Sequence, residues 1–337
     1  MDWTTHVAIF VMAYVAGFAG TGLAFMLLSW AAFFDVPNER SSHTGYVPRG
    51  AGVALTPILA VAVAGVGLKA TGAPPEALTV AGLAVGLGVL SWIDDRRGLP
   101  VAVRLLAHAA AIAFALYSMP AGGPFFGGLL PAEFDVALAG FLWLWFVNLF
   151  NFMDGIDGIA GTETALIGFG AAAVAALAGL GGGISFIGVA VAGAAFGFLW
   201  WNWPPAKVFL GDVGSVPLGF LLGWLLLLLA QRGQWAAALI LPLYYWADAT
   251  LTLVRRVVRR EKFWQAHRQH FYQRAARGSL GHMGVVRLVL AAGTVLIACA
   301  AAAASGWTGP ALAAAGVTVA LLLVRLSRAG FGSRFRP

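Results

Sequence analysis

The stretch N-L-F-N-F-M-D-G-I-D-G-I-A-G-T-E, Asn148 to Glu163, lies at the end of an apolar run, 136–153, that carries no charge. It supplies two amides (Asn148, Asn151), two aspartates (Asp154, Asp157) and Glu163. In an α-helix three residues turn the chain by about 300°, so Asn148, Asn151 and Asp154 fan over about 120° of one face. Asp157 points the opposite way if the helix continues. Gly155 and Gly158 offer the bend that brings it back. Carboxylates just past a helix C-terminus oppose the helix dipole unless a cation answers them. The stretch is therefore a candidate site for a hard metal ion with oxygen ligands. The helix is predicted to end or bend near Gly155, with Asn151 and Asp154 facing one cavity.

The rest of the chain sets that stretch in a membrane. Its 337 residues are 60% hydrophobic and 10% charged, where a soluble domain carries about 25% charged residues. Mean hydropathy is +0.84. The single Cys, Cys299, lies in an apolar run, so no disulfide framework is expected. The first apolar run lacks a basic leading region and is too long for a cleavable signal peptide. The 44 glycines suit close helix packing in lipid.

Apolar windows long enough to span occupy 3–34, 52–68, 77–93, 104–119 and 136–153. The charge-free stretch 164–206 divides into two at the G-L-G-G-G of 179–183. Further windows cover 216–230 and 235–254, and two more lie between Arg287 and Arg325. The prediction is an all-α membrane protein, one polytopic domain over 1–337 with about eleven transmembrane helices. If the segment after the first span is cytoplasmic, all of the 21 Lys and Arg except Lys69 and Arg232 fall on the cytoplasmic side. The positive-inside rule then sets the N-terminus outside and the C-terminus in the cytoplasm. The same assignment gathers Asp35, Asp94, Asp95, Asp154, Asp157, Asp212, His267 and His270 on one face. A transporter or proton relay tends instead to place acids at mid-depth.

Several readings stay open on the residues alone. Asp94-Asp95 closes the third span against the dipole, with Arg96 and Arg97 as local partners or a metal or shared proton as the resolution. Asp212, in F-L-G-D-V-G-S, reads as an N-cap or as a metal site whose glycines, Gly211 and Gly214, admit a phosphate. His267 and His270 have zinc-like spacing but no Cys, and their neighbours Arg259, Arg260, Lys262, Arg268 and Arg274 favour an anion-binding loop. Attraction to acidic lipid is the alternative. Asp248, inside the ninth span, reads as paired with an Arg of a neighbouring segment. Asn148 reads also as a bond between helices.

Taken together, these segments resemble the polyprenyl-phosphate N-acetylhexosamine-1-phosphate transferases. The matching pieces are D-V-P-N-E-R-S-S-H…P-R-G (35–50), D-D-R-R-G-L (94–99), N-F-M-D-G-I-D-G (151–158), F-L-G-D-V-G-S (209–215) and H-R-Q-H-F-Y-Q (267–273), in the family's order. The resemblance implies transfer of an N-acetylated hexosamine-1-phosphate from a UDP-sugar to undecaprenyl phosphate, with release of UMP. It implies catalytic roles for Asp94, Asp95, Asp154 and Asp157, and Mg²⁺ held by Asn151 and Asp212. Substrate contacts are implied for Arg40, His43, Arg104, Asn148, His267 and His270. Implied partners are polyprenyl phosphate, a UDP-N-acetylhexosamine and the bilayer, not nucleic acid; a homodimer stays open. R-S-S-H and H-R-Q-H-F-Y-Q look most like the O-antigen-initiating branch, in a bacterial inner membrane with the site on the cytoplasmic face. The muramoyl-pentapeptide translocases of the same family carry adjacent histidines in the last loop, which this chain lacks. A CDP-alcohol phosphatidyltransferase needs D-G-x-x-A-R, and D-G-I-A-G lacks the Arg.

Overall fold

The computed structural model describes residues 3–35, 45–70, 73–120, 122–262 and 267–331. They form α1 (Trp3–Trp30), α2 (Gly52–Lys69), α3 (Ala77–Arg97), α4 (Val101–Ser118), α5 (Ala132–Phe152), α6 (Ile159–Leu177) and α7 (Gly182–Asn202). There follow α8 (Asp212–Leu229), α9 (Trp235–Ile240), α10 (Leu243–Val258), α11 (Phe271–Arg277), α12 (Gly281–Ala304) and α13 (Thr308–Phe331). Two-residue strands β1 (Phe34–Asp35) and β2 (Val47–Pro48) pair antiparallel in the segment between α1 and α2. The protein is an all-α integral membrane protein, and among the described residues ten helical stretches are long and apolar enough to cross a membrane.

The expected ninth span is where structure and sequence differ. After α8 the chain turns at Q-R-G-Q, 231–234, with Gly233 at φ 83°. Beyond it the chain forms six-residue α9, breaks at Leu241-Pro242, and resumes as 16-residue α10. Pro242 has no amide hydrogen to continue the ladder, so neither piece alone has the length of a span.

Helices α6 and α7 are buried over 83% of their most apolar window, against 28% for α1. Apart from Thr162, Glu163 and Thr164 of α6 and Ser185 and Asn202 of α7 they are apolar all round, as suits interior helices. Close approach depends on small residues: a side chain at Gly197 of α7 would strike the α1 backbone at Tyr14 and Phe18. In α8, Pro217 leaves the Val213 carbonyl without its helical donor. The Thr56 hydroxyl of α2 donates to that carbonyl at 2.9 Å, so the vacancy becomes a helix contact.

Candidate active site

The start of α8 is built against the start of α2. Phe209 donates its N–H to Pro48 O at 2.8 Å, while Gly50 and Ala51 both donate to Phe209 O at 2.9 Å. Gly211 adopts φ 73°, and a side chain at Gly52 would collide with the Gly214 backbone. This pairing sets Arg49 over Asp212, the first residue of α8. Arg49 Nη2 lies 2.9 Å from Asp212 Oδ1 and 3.3 Å from Asp95 Oδ1, and its Nη1 lies 3.8 Å from Asp35 Oδ1. Burial disfavours the guanidinium charge, but Asp212, Asp95, Asp35 and Asp154 outweigh it and leave the Arg49 pKa above its ordinary value. Sequence reading quoted Arg49 within P-R-G without assigning it a role.

The aspartate pair at the end of α3 is split between two arginines. Asp94 accepts the Leu99 N–H at 2.6 Å on Oδ1 and Arg104 Nη1 at 2.9 Å on Oδ2. Asp95 faces Arg49 instead, and its Oδ2 is buried without a partner among the described residues. The local partners considered from sequence are not used: Arg96 lies over the Trp92 ring, 4.6 Å from its centroid. The dipole conflict at this helix end is thus met by cations from other segments.

Helix α5 stops at Phe152, three residues before Gly155, and the chain turns through Asp154 and Gly158 (φ 75°) into α6. The turn is secured by Gly158 N–H to Asn202 Oδ1 at 2.9 Å. Tyr272 of α11 donates to the Phe152 carbonyl at 2.9 Å, satisfying one acceptor at the helix end. Asn151 donates to Ser215 Oγ of α8 at 2.8 Å. Asn148 donates to Leu144 O within its own helix at 2.7 Å, and not between helices. Burial, and next the Asp212 charge, push the Asp154 pKa up to about 7 against the pull of Arg49.

One cavity of about 340 Å³ collects Asp94, Arg104, Asn148, Asn151 and Asp212. His108 of α4, absent from the sequence reading, lines it too. Its signal was a lone histidine four residues after Arg104 in an otherwise apolar helix. The cavity shares Phe141 and Leu144 with an apolar groove of about 490 Å³ between α4 and α5. Asp154 stands beside the cavity, coupled to Asp212 by charge. Asp157 is turned elsewhere: Oδ2 accepts the Ala206 N–H at 3.0 Å, and Oδ1 lies 3.2 Å from His282 Nδ1 of α12.

The last loop hangs on Asp248, which is fully buried. Its expected arginine partner is not what the structure records. Asp248 Oδ1 accepts the Phe271 N–H at 3.0 Å and Oδ2 the Tyr272 N–H at 3.1 Å, while Tyr244 donates its hydroxyl at 3.1 Å. His270 Nδ1 lies 3.3 Å from Oδ1. Asp248 therefore caps α11 and fixes the loop. His267 stacks on His270 with centroids 4.9 Å apart. Burial and then the His270 charge lower the His267 pKa to about 4, so it is neutral at pH 7. Among the described residues no three His, Cys, Asp or Glu group together as metal ligands. Arg40 and His43 lie outside the described residues.

A divalent oxygen-liganded cation fits this donor set. Mg²⁺ keeps several waters and takes only one or two carboxylates plus substrate phosphates, so no three-acid cluster is required. Asn151 spends its amide nitrogen on Ser215, which leaves its oxygen available on the same cavity as Asp212. Asp95 and Asp212 share one guanidinium, so the local charge still favours a cation.

Fold and site together define a multi-pass membrane protein with an acid- and arginine-lined cavity at one end of its helices. Residues 77–230 match the model of glycosyl transferase family 4. Over that stretch the chain is similar to the family. It is 37% identical over 172 residues to a phospho-N-acetylmuramoyl-pentapeptide-transferase of Picosynechococcus sp., a match covering 45% of this chain and 46% of the relative, about half of each. It is 28% identical over 272 residues to a probable undecaprenyl-phosphate N-acetylglucosaminyl 1-phosphate transferase of Bacillus subtilis, covering 77% of this chain and 74% of the relative.

Proposed function

We propose that this protein transfers an N-acetylhexosamine-1-phosphate from a UDP-sugar to undecaprenyl phosphate, and so initiates O-antigen or another envelope polysaccharide. The observation that carries the reading is the continuity of the charged cavity with the apolar α4–α5 groove through Phe141 and Leu144. An acceptor with a phosphate head and an isoprenoid tail needs both surfaces at once. The name of the Bacillus subtilis relative supports the same substrate class.

In the proposed reaction an oxygen of the acceptor phosphate attacks the sugar-bearing phosphorus of the donor. The bond from that phosphorus to the bridging oxygen breaks, UMP leaves, and a lipid diphosphate-sugar remains. Two anions must meet, so their charge must be neutralised. Arg104 and Arg49 supply fixed positive charge on either side of the aspartates. Asp94 or Asp95 takes the acceptor's proton where it is still present. Asn151 and Asp212 would hold Mg²⁺, which supplies Lewis-acid neutralisation of the phosphates when bound. Asp154 adds negative charge beside them. His270 and His267 act through the loop that Asp248 anchors, toward the donor. Arg40 and His43 remain proposed substrate contacts. Asp157, tied to His282 and Ala206, has a positioning part in this scheme and not the catalytic one expected from sequence.

The Lys and Arg that gather on the same side of the spans as Asp94, Asp154 and Asp212, with the basic C-terminal tail, support a cytoplasmic-facing site with the N-terminus outside; we place it in a bacterial inner membrane. A muramoyl-pentapeptide donor is the second reading, favoured by the name of the Picosynechococcus relative. It is opposed by the last loop, where only His267 and His270 stand. The test is UMP release by purified protein from a panel of UDP-N-acetylhexosamines and UDP-muramoyl-pentapeptide, with and without undecaprenyl phosphate. Release that does not need the lipid phosphate rejects the reading.

A further inference from the structure

We propose that His108 is a phosphate-binding residue of the acceptor site, donating a hydrogen bond from its imidazole to a phosphoryl oxygen of the lipid phosphate. It rests on the lipid-phosphate reading of the same cavity.

Helix α4 is apolar between Arg104 and Tyr117 except for this one histidine. A polar side chain inside a spanning helix is costly and turns toward a cavity or a partner. His108 is 6% exposed, and its Nδ1 is sealed from solvent with no hydrogen-bond partner among the described residues. What the ring does face is the charged cavity, whose lining it joins.

Its position narrows the ligand. Arg104 and His108 are four residues apart on one helix, so they share a face, and both line the cavity. The next residue, Ala109, lines the apolar α4–α5 groove instead. His108 therefore stands where charged cavity gives way to apolar groove. A molecule lying across that junction has an anionic head and a long apolar tail. Donor nucleotide and sugar have no such tail.

The tautomer follows from the sealed nitrogen. A buried N–H without an acceptor is rarer than a buried acceptor without a donor. The ring is then best neutral with its proton on Nε2, leaving a lone pair on Nδ1. Nε2–H is a donor, which suits a phosphoryl oxygen beside the Arg104 guanidinium.

Binding of farnesyl phosphate, farnesol and UDP-GlcNAc to detergent-purified wild type, H108A and H108Q, each measured by calorimetry with Mg²⁺ present, tests this. H108A should weaken farnesyl phosphate about tenfold, the loss of one hydrogen bond to a charged group. H108Q should recover most of that, because its amide N–H stands near the place of Nε2–H. Farnesol and UDP-GlcNAc should bind all three proteins alike. If H108A does not fold, H108N replaces it, since its amide reaches only the Nδ1 position. Unchanged farnesyl phosphate binding, or equal weakening of farnesyl phosphate and farnesol, overturns the proposal. Weakening of UDP-GlcNAc alone moves His108 to the donor and overturns the acceptor assignment. Wild type that binds no farnesyl phosphate overturns this proposal and the transfer reading together. Wild type that binds it but transfers no sugar phosphate overturns the transfer reading alone.

Discussion

Arg49 Nη2 and Asp212 Oδ1 meet at 2.9 Å across 163 positions of sequence. The same guanidinium answers Asp95 and Asp35, so one side chain joins the segment after α1, the end of α3 and the start of α8. Lysine offers a point charge and no planar fork. R49K should therefore lower transfer by at least about tenfold, the effect of losing one charge-assisted contact, while the protein still inserts. Transfer at the wild-type rate in R49K membranes would show that the shared fork is dispensable.

Asp212 is expected to be indispensable. D212N keeps the shape and one acceptor oxygen for Arg49 but removes the charge that a divalent cation needs. Turnover should fall below detection while detergent-extracted protein elutes and melts like wild type. Near wild-type activity at saturating Mg²⁺ would remove Asp212 from the proposed metal site.

Gly155 is required for a steric reason. A side chain there would run into the Tyr272 hydroxyl and Gln273 Nε2, and Tyr272 is held by the Phe152 carbonyl. G155A should lower both activity and melting temperature. Removing the obstructing hydroxyl in G155A/Y272F should restore part of the loss, although Y272F alone costs about 1 kcal/mol for its hydrogen bond. A double variant worse than the sum of the two would point to backbone strain at position 155.

Asp248 and His270 should behave as one unit. D248A and H270A each loosen the 267–273 loop, and each is predicted to raise the donor KM more than the acceptor KM. Because the two side chains share contacts, the double variant should be little worse than either single one. Fully additive losses would separate their roles.

Stability without divalent metal should depend on pH through Asp154. Its folded pKa is raised from 3.8 to about 7, so the folded state holds the proton more tightly than the unfolded one. That contribution is complete below about pH 4 and is lost as pH rises to about 7. Thermal melts in EDTA should fall between pH 5 and 7.5, and fall less in D154N. An identical slope in both proteins would contradict the burial of this carboxyl.

Local composition was enough to read the helices and the face on which the polar groups gather. A span needs only an uninterrupted apolar window, and the ends of such windows place Asp94, Asp154 and Asp212 without any knowledge of packing. The five polar pieces were legible for the same reason, since each stands out against an apolar background. The break at Pro242 was hidden because the window 235–254 is apolar on both sides of it. What no local pattern could supply was pairing. Arg49, and not Arg96 or Arg97, answers Asp95; two amides and a histidine answer Asp248 where an arginine was expected; Asp157 turns to His282 and leaves the cavity to its neighbours. His108 could be singled out as a polar residue in an apolar helix, but its place at the mouth of a groove exists only once α4 packs on α5. Charge and hydropathy belong to a residue and its near neighbours, whereas a hydrogen bond belongs to two groups that the chain brings together from any separation, and only the packed helices decide which two.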